Sequence, residues 1–135
     1  MEGKPITIRK NGKWYFGEAE MFRRNIVNLL AKNMHRHEDG SFYIRLGEDV
    51  NPLSVEDVPF YATGYVEQED GSVKLVFFDL QEYVLNDETK LTLKGDVPYI
   101  SYKWENDTRL SRGVYWKLSE FFDFRGEEVF ILIPT

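Results

Sequence analysis

The chain has no cysteine and only two histidines, His35 and His37. The first absence excludes a disulfide, a thiol nucleophile and a cysteine-ligated metal, and it is compatible with a reducing compartment. The second leaves a histidine-based metal centre short of donors, because a structural site holds about four ligands in place. Long hydrophobic runs are also missing. No window reaches the roughly 18 uninterrupted apolar residues that suggest a membrane-crossing helix, and the opening MEGKPITIRKNGKWYF has no apolar signal core. The expectation is a cytoplasmic protein without a membrane partner. Basic charge is scarce too: 17 Lys and Arg against 23 Asp and Glu give a formal net charge of −6. General nucleic-acid binding is therefore not expected, since it requires a basic face that releases counterions from the polyanion. Neither a GxxxxGKS nor a GxGxxG phosphate loop occurs, nor a GxSxG nucleophile turn, and no cofactor is expected.

What is present is enough apolar side chain to fold. Of 135 residues, 42% are hydrophobic and 16% aromatic, which suits one compact domain or two half-domains. Asn11-Gly12 lies between apolar runs at Ile6 to Ile8 and Trp14 to Phe16, the strongest short signal for a hairpin. From Phe22, apolar residues recur at Ile26, Leu29, Leu30 and Met34, the spacing of one helix face. An Asp39-Gly40 turn and a strand through Phe42, Ile44 and Leu46 follow. Further on, Asp70-Gly71 separates two strands, Tyr61 to Glu67 and Ser72 to Leu80. A third pairing or a continuing meander is expected from Tyr83–Leu85 and Leu91–Leu93, and Pro98 opens a strand at Tyr99 to Trp104. Ser111 can cap a second helix with apolar positions Val114, Tyr115, Leu118, Phe121 and Phe122. Val129 to Ile133 reads as a strand buried on both faces.

Leu53 to Ala62 joins the two pieces. Pro59 fixes its own φ, lacks an amide donor and pushes Val58 toward extended backbone, so this segment reads as a hinge carrying Glu56 and Asp57. The expected domains are a hairpin-helix-strand half over residues 1–53 and a β-rich half with one helix over 54–135. An offset of 88 positions lays Arg24, Leu30 and Phe42 on Arg112, Leu118 and Phe130. That match suggests duplicated strand-strand-helix-strand units around a mostly antiparallel sheet, in an α+β fold; generic resemblance between two amphipathic helices is the competing account.

Chemistry is sparsely signalled. His35-x-His37 with Glu38 and Asp39 can be weighed as metal ligands, but two histidines in a polar turn are more simply solvated, and no metal is expected. Ser101 and Ser111 lack the order of nucleophile, base and orienter. Trp14, Tyr15, Trp104, Tyr115 and Trp116 could stack on a base or fill the core. Arg23, Arg24 and Arg112 fall at predicted helix starts, where an arginine can clamp an anion bidentately. They could equally pair with Glu56 and Asp57 and fasten the halves. The candidate ligand-binding residues are thus Arg23, Arg24, Arg112, Glu56, Asp57 and Trp14.

Taken in order, GKWYFGEAEMFRR, NLLAKNMHRHEDGSFYI, LSVEDVPF and TRLSRGVYWKL resemble the motifs of the bacterial DUF1285 family of uncharacterised proteins. The most specific parts are Glu56-Asp57-Val58-Pro59-Phe60, like that family's EDAPF, and Arg109-Leu110-Ser111-Arg112, like its RLxR. The resemblance implies a duplicated fold, a C-terminal half like a pleckstrin-homology barrel with one helix, a site between the halves for a nucleotide-like molecule, and a signalling role. The chain departs from the family in being shorter and in carrying His35 and His37. The expectation is a non-enzymatic, cytosolic ligand-binding or regulatory module for an anionic, nucleotide-like small molecule. A structural protein–protein interaction module is the alternative, and a small enzyme acting on a phosphorylated metabolite is a third.

Overall fold

The computed structural model describes residues 5–85 and 87–134. It contains two compact units, the first running to Pro59 and including Asp79–Gln81, the second formed by Phe60–Phe78 and the chain from Glu82 onward. Leu53, where the sequence reading divides the chain, lies inside a strand, so the first unit extends past it.

The first unit is built from β1 (Ile6–Ile8), β2 (Trp14–Phe16), β3 (Ala19–Glu20), α1 (Arg24–Lys32), β4 (Met34–Arg36), β5 (Phe42–Leu46) and β6 (Asp49–Val55). Its sheet has the order β3-β2-β1-β6-β5-β4, antiparallel except for the parallel pair β1 and β6. The Asn-Gly signal holds: Gly12 sits at φ 85°, which an L side chain rarely tolerates, and its N–H donates to Arg9 O at 2.9 Å. Trp14, read as a stacking candidate, is instead 1% exposed and belongs with Ile8, Ile44 and Leu53 to the buried residues of this unit. Alternation explains it, because Ile8 and Trp14 are directly paired and so share a face.

The expected face of α1 needs correction. Phe22, Ile26 and Leu29 are exposed, while Val27, Leu30 and Ala31 are buried, so the covered stripe is rotated from the expected one. Leu30 belongs to both stripes, and Met34 is buried on β4 after the helix has ended at Asn33. Asn28 Nδ2 adds a tie by donating to Asp79 O at 2.9 Å.

The second unit contains β7 (Phe60–Glu67), β8 (Val73–Phe77), β9 (Glu82–Val84), β10 (Glu88–Lys94), β11 (Val97–Ile100), β12 (Thr108–Leu110), α2 (Arg112–Leu118), β13 (Phe122–Arg125) and β14 (Glu128–Leu132). The sheet order is β13-β14-β10-β11-β12-β7-β8-β9, with β7 and β12 parallel and every other neighbour antiparallel. The sheet is open, with β13 and β9 at its ends, rather than the closed barrel the resemblance implied. The architecture is mixed α+β with mostly antiparallel sheets.

Several expected boundaries move in this unit. Strand β9 pairs with β8, and β10 with β11 and β14, so the two runs expected as a third pairing do not meet each other. Strand β11 stops at Ile100 because Ser101 to Asn106 wrap around Asp107. That carboxylate is 3% exposed and accepts from the amides of Tyr102, Lys103 and Trp104 at 2.8–2.9 Å and from Thr108 Oγ1 at 3.0 Å. A buried charge is tolerable when it collects this many donors. Helix α2 ends at Leu118, where Ser119 Oγ donates to Trp116 O at 2.6 Å, and Phe122 begins a strand instead of continuing the helix. Strand β14 alternates, with Val129 and Ile131 buried and Leu132 exposed, so it is half-buried.

Candidate functional site

The second unit carries a cleft of about 480 Å³ lined by residues of β7, β10, β11, β12 and α2. Parallel pairing of β7 and β12 sets Arg109 beside Tyr61 in register, and the guanidinium stands 5.7 Å above that ring. Buried Thr108 and Leu110 flank Arg109 and point the opposite way, so strand alternation turns the arginine outward. Ser111 then starts α2: its Oγ accepts from Val114 N at 3.2 Å and its own N–H donates to Ala62 O at 2.9 Å. Those bonds fix the helix against β7, with Val114 and Leu118 buried and Arg112, Tyr115 and Trp116 lining the cleft. The opposite wall is the turn between β10 and β11, with Leu93, Asp96, Val97 and Pro98.

Among the described residues, two guanidiniums and three aromatic rings thus share a cavity with a single carboxylate, Asp96. The volume lies within the roughly 300–1,000 Å³ of small-molecule sites. Such a lining can stack a planar group and clamp an anion bidentately. Trp116 is 65% exposed and also lines a neighbouring depression with Tyr65, Glu67, Lys117 and Glu120. There the Tyr65 hydroxyl is pushed up to about 12, by burial first and then by the charges of Glu67 and Glu120.

The residues singled out from sequence are divided between the units. Arg23 is the residue before the first turn of α1 and Arg24 its first residue; the Arg23 side chain makes no capping bond, while its carbonyl accepts from Ile26 N at 3.0 Å. Glu56 Oε1 accepts from Lys10 N at 3.0 Å, and the Glu56 amide donates to Ile8 O, so this residue secures the end of the first hairpin. Asp57 is exposed in the same unit. Arg112 lies in the second unit, exposed, and among the described residues it has no ion pair. Trp14 is enclosed in the first unit's core and offers no face to a ligand. The cleft therefore keeps Arg112, together with Tyr115 and Trp116 from the aromatic candidates, and adds Arg109 and Tyr61. The signal for Arg109 was its place in Arg109-Leu110-Ser111-Arg112.

The other constellations resolve into structural roles. His35 and His37 stack on the ring of Tyr43, with centroids 5.3 and 4.2 Å away. Among the described residues no group of three or more His, Asp or Glu side chains could hold a metal ion. Ser101 Oγ accepts from Asn106 N at 2.8 Å, which together with the Ser111 cap accounts for both serines. No helix among the described residues is long and apolar enough to cross a membrane.

Comparison with known proteins points to a fold and no further. No family model and no curated protein matches the sequence. Among solved structures, a DUF1285 family protein from Shewanella baltica OS155 aligns with a TM-score of 0.72 at 16% identity, covering 89% of this chain and 94% of that one. A DUF1285 family protein from Silicibacter pomeroyi DSS-3 aligns with a TM-score of 0.73 at 15% identity, covering 98% of this chain and 81% of that one. The fold of this chain fits the DUF1285 family, the one its motifs resemble.

Proposed function

We propose that the chain is a non-enzymatic ligand-binding module whose second unit takes an anionic, aromatic small molecule of nucleotide-like character, in a regulatory role. The observation that carries this reading is the cleft lining: Arg109 and Arg112 beside Tyr61, Tyr115 and Trp116, with Asp96 the one carboxylate among the described lining residues. An anionic group would bridge the guanidiniums, and a planar ring would stack on Trp116. The duplication belongs to the same proposal. Its support is that an offset of 88 carries Arg23 to Ser111 and Arg24 to Arg112 at equivalent helix-start positions, and that each helix leads into an antiparallel hairpin, β4–β5 and β13–β14. The likeness of the C-terminal half to a pleckstrin-homology domain is proposed in open-sheet form. A thermal-shift screen of nucleoside phosphates and other anionic metabolites tests the function. A shift without consumption of the ligand supports a binding module; consumption would make the protein an enzyme acting on a phosphorylated metabolite.

One observation favours the protein-interaction reading instead. Exposed Phe22, just before α1, and Ile26 and Leu29 on it lie within a stretch, residues 21–37, that has Arg23, Arg24, Lys32 and Arg36 but no acidic residue. A partner for that face would be an acidic amphipathic helix of another protein, read through the i, i+4, i+7 anchors. No shift with any small molecule, together with binding of a Glu-rich amphipathic peptide that Phe22→Ser abolishes, would favour it.

A further inference from the structure

We infer that β13 is a self-association edge, at which two copies of the chain join antiparallel about a twofold axis through Phe124. Strand β13 ends the eight-stranded sheet, so among the described residues one side of its backbone has no neighbouring strand. The parity of the hairpin says which residues use that side. Arg125 and Glu128 flank the two-residue turn Gly126-Glu127, in which Gly126 has φ 66°, and residues flanking such a turn exchange both ladder bonds. Asp123 then bonds toward Phe130, and the amide and carbonyl of Phe124 and Phe122 face outward.

Side chains make the same register favourable. Phe122 and Phe124 share the face of Ile131 and Val129, which are buried, and their rings meet edge-on at 6.2 Å. Phe124 nevertheless remains 72% exposed, because the sheet stops beside it. An antiparallel partner must place same-face residues opposite each other, so a twofold passes through a residue, not between two. Centred on Phe124, it sets Phe124 against its copy and Asp123 against the partner's Arg125, twice by symmetry. Charged residues at a sheet edge usually discourage pairing. Here the two charges have opposite sign and sit two apart on one face, with Arg125 Nε 2.7 Å from Asp123 Oδ2 and Arg125 Nη1 paired with Glu88 on β10, so the twofold sets each arginine opposite one further carboxylate and adds two reciprocal ion pairs where edge charges would otherwise deter pairing. With only four strand residues a side, the dimer is a weak one, dissociating at roughly tens to hundreds of micromolar.

Sedimentation equilibrium of the full chain over that concentration range tests the inference. Asp123→Arg and Arg125→Asp should each weaken association about tenfold or more by placing like charges opposite one another. An equimolar mixture of the two variants should recover the wild-type affinity, because both arginines of one variant then face aspartates of the other. Phe124→Ser should weaken association without altering the circular dichroism spectrum. A wild-type chain that stays monomeric at millimolar concentration overturns the inference. So does a dimer that either charge reversal leaves unchanged, or a mixture that fails to recover.

Discussion

Replacing Asp107 by asparagine removes one negative oxygen and puts an NH2 group in its place. In the native loop Oδ1 accepts from Tyr102 N and Thr108 Oγ1, and Oδ2 accepts from Lys103 N and Trp104 N. Asparagine can keep only one of these pairs, since its amide nitrogen faces two donors as a third donor. Stranding a buried or half-buried donor costs about 1–3 kcal/mol. With two stranded, and with Lys103 exposed enough for water to compensate in part, the loss should be about 2–4 kcal/mol. Thr108→Val removes a single neutral donor and should cost about 1 kcal/mol. Urea unfolding monitored by the Trp104 environment, which stacks on Phe60 at 6.1 Å, measures both. A loss under about 1 kcal/mol for Asp107→Asn would refute the argument that this carboxylate holds β12, and with it Arg109, in place.

Leu30→Ala and Leu118→Ala should each cost about 2–5 kcal/mol, because both side chains are buried and leave cavities; Ile26→Ala, on the exposed stripe, should cost under about 1 kcal/mol by the same urea assay. Asp39 and Asp70 should titrate below the ordinary carboxylate range in carboxyl-carbon NMR, held there by the hydroxyl and amide of Ser41 and Ser72 respectively. A folded value below the unfolded one means their contribution is present above the ordinary value of 3.8 and is lost as pH falls through the folded value; Ser41→Ala and Ser72→Ala should bring each titration back toward 3.8. The Tyr65 phenol should ionise near pH 12 in an ultraviolet titration, and Glu67→Gln should lower that midpoint by removing a repelling charge while leaving an acceptor oxygen in place.

The turns and helices were legible because their signals are local. Asn11-Gly12, Asp39-Gly40 and Asp70-Gly71 all mark turns, and Ser111 caps α2 as its residue type predicts. The covered face of α1 was not legible, because Phe22, Ile26 and Leu29 form a stripe as regular as Val27, Leu30 and Ala31; only the sheet decides which is buried. Strand β12 was hidden for a related reason. Three residues have no period of their own, and Asp107 defines them by gathering amides from a loop. The cleft was half visible. Arg112, Tyr115 and Trp116 stood out on a predicted helix, but Tyr61 joins Arg109 only through the parallel pairing of β7 and β12, a long-range contact with no local signature. Trp14 misled because an aromatic beside a charged turn looks the same in sequence whether it faces solvent or core.

Isothermal titration of the full chain with nucleoside mono-, di- and triphosphates, repeated on Arg112→Ala and Arg112→Lys, bears most directly on the ligand-binding reading. Arg112 is exposed, so its loss should leave the unfolding midpoint nearly unchanged. The account predicts saturable binding of at least one of these compounds by the wild-type chain, lost in Arg112→Ala and strongly weakened in Arg112→Lys, since lysine keeps the charge but not the planar fork. Absence of heat from every compound at millimolar concentration, or binding that neither Arg112 variant alters, would contradict it.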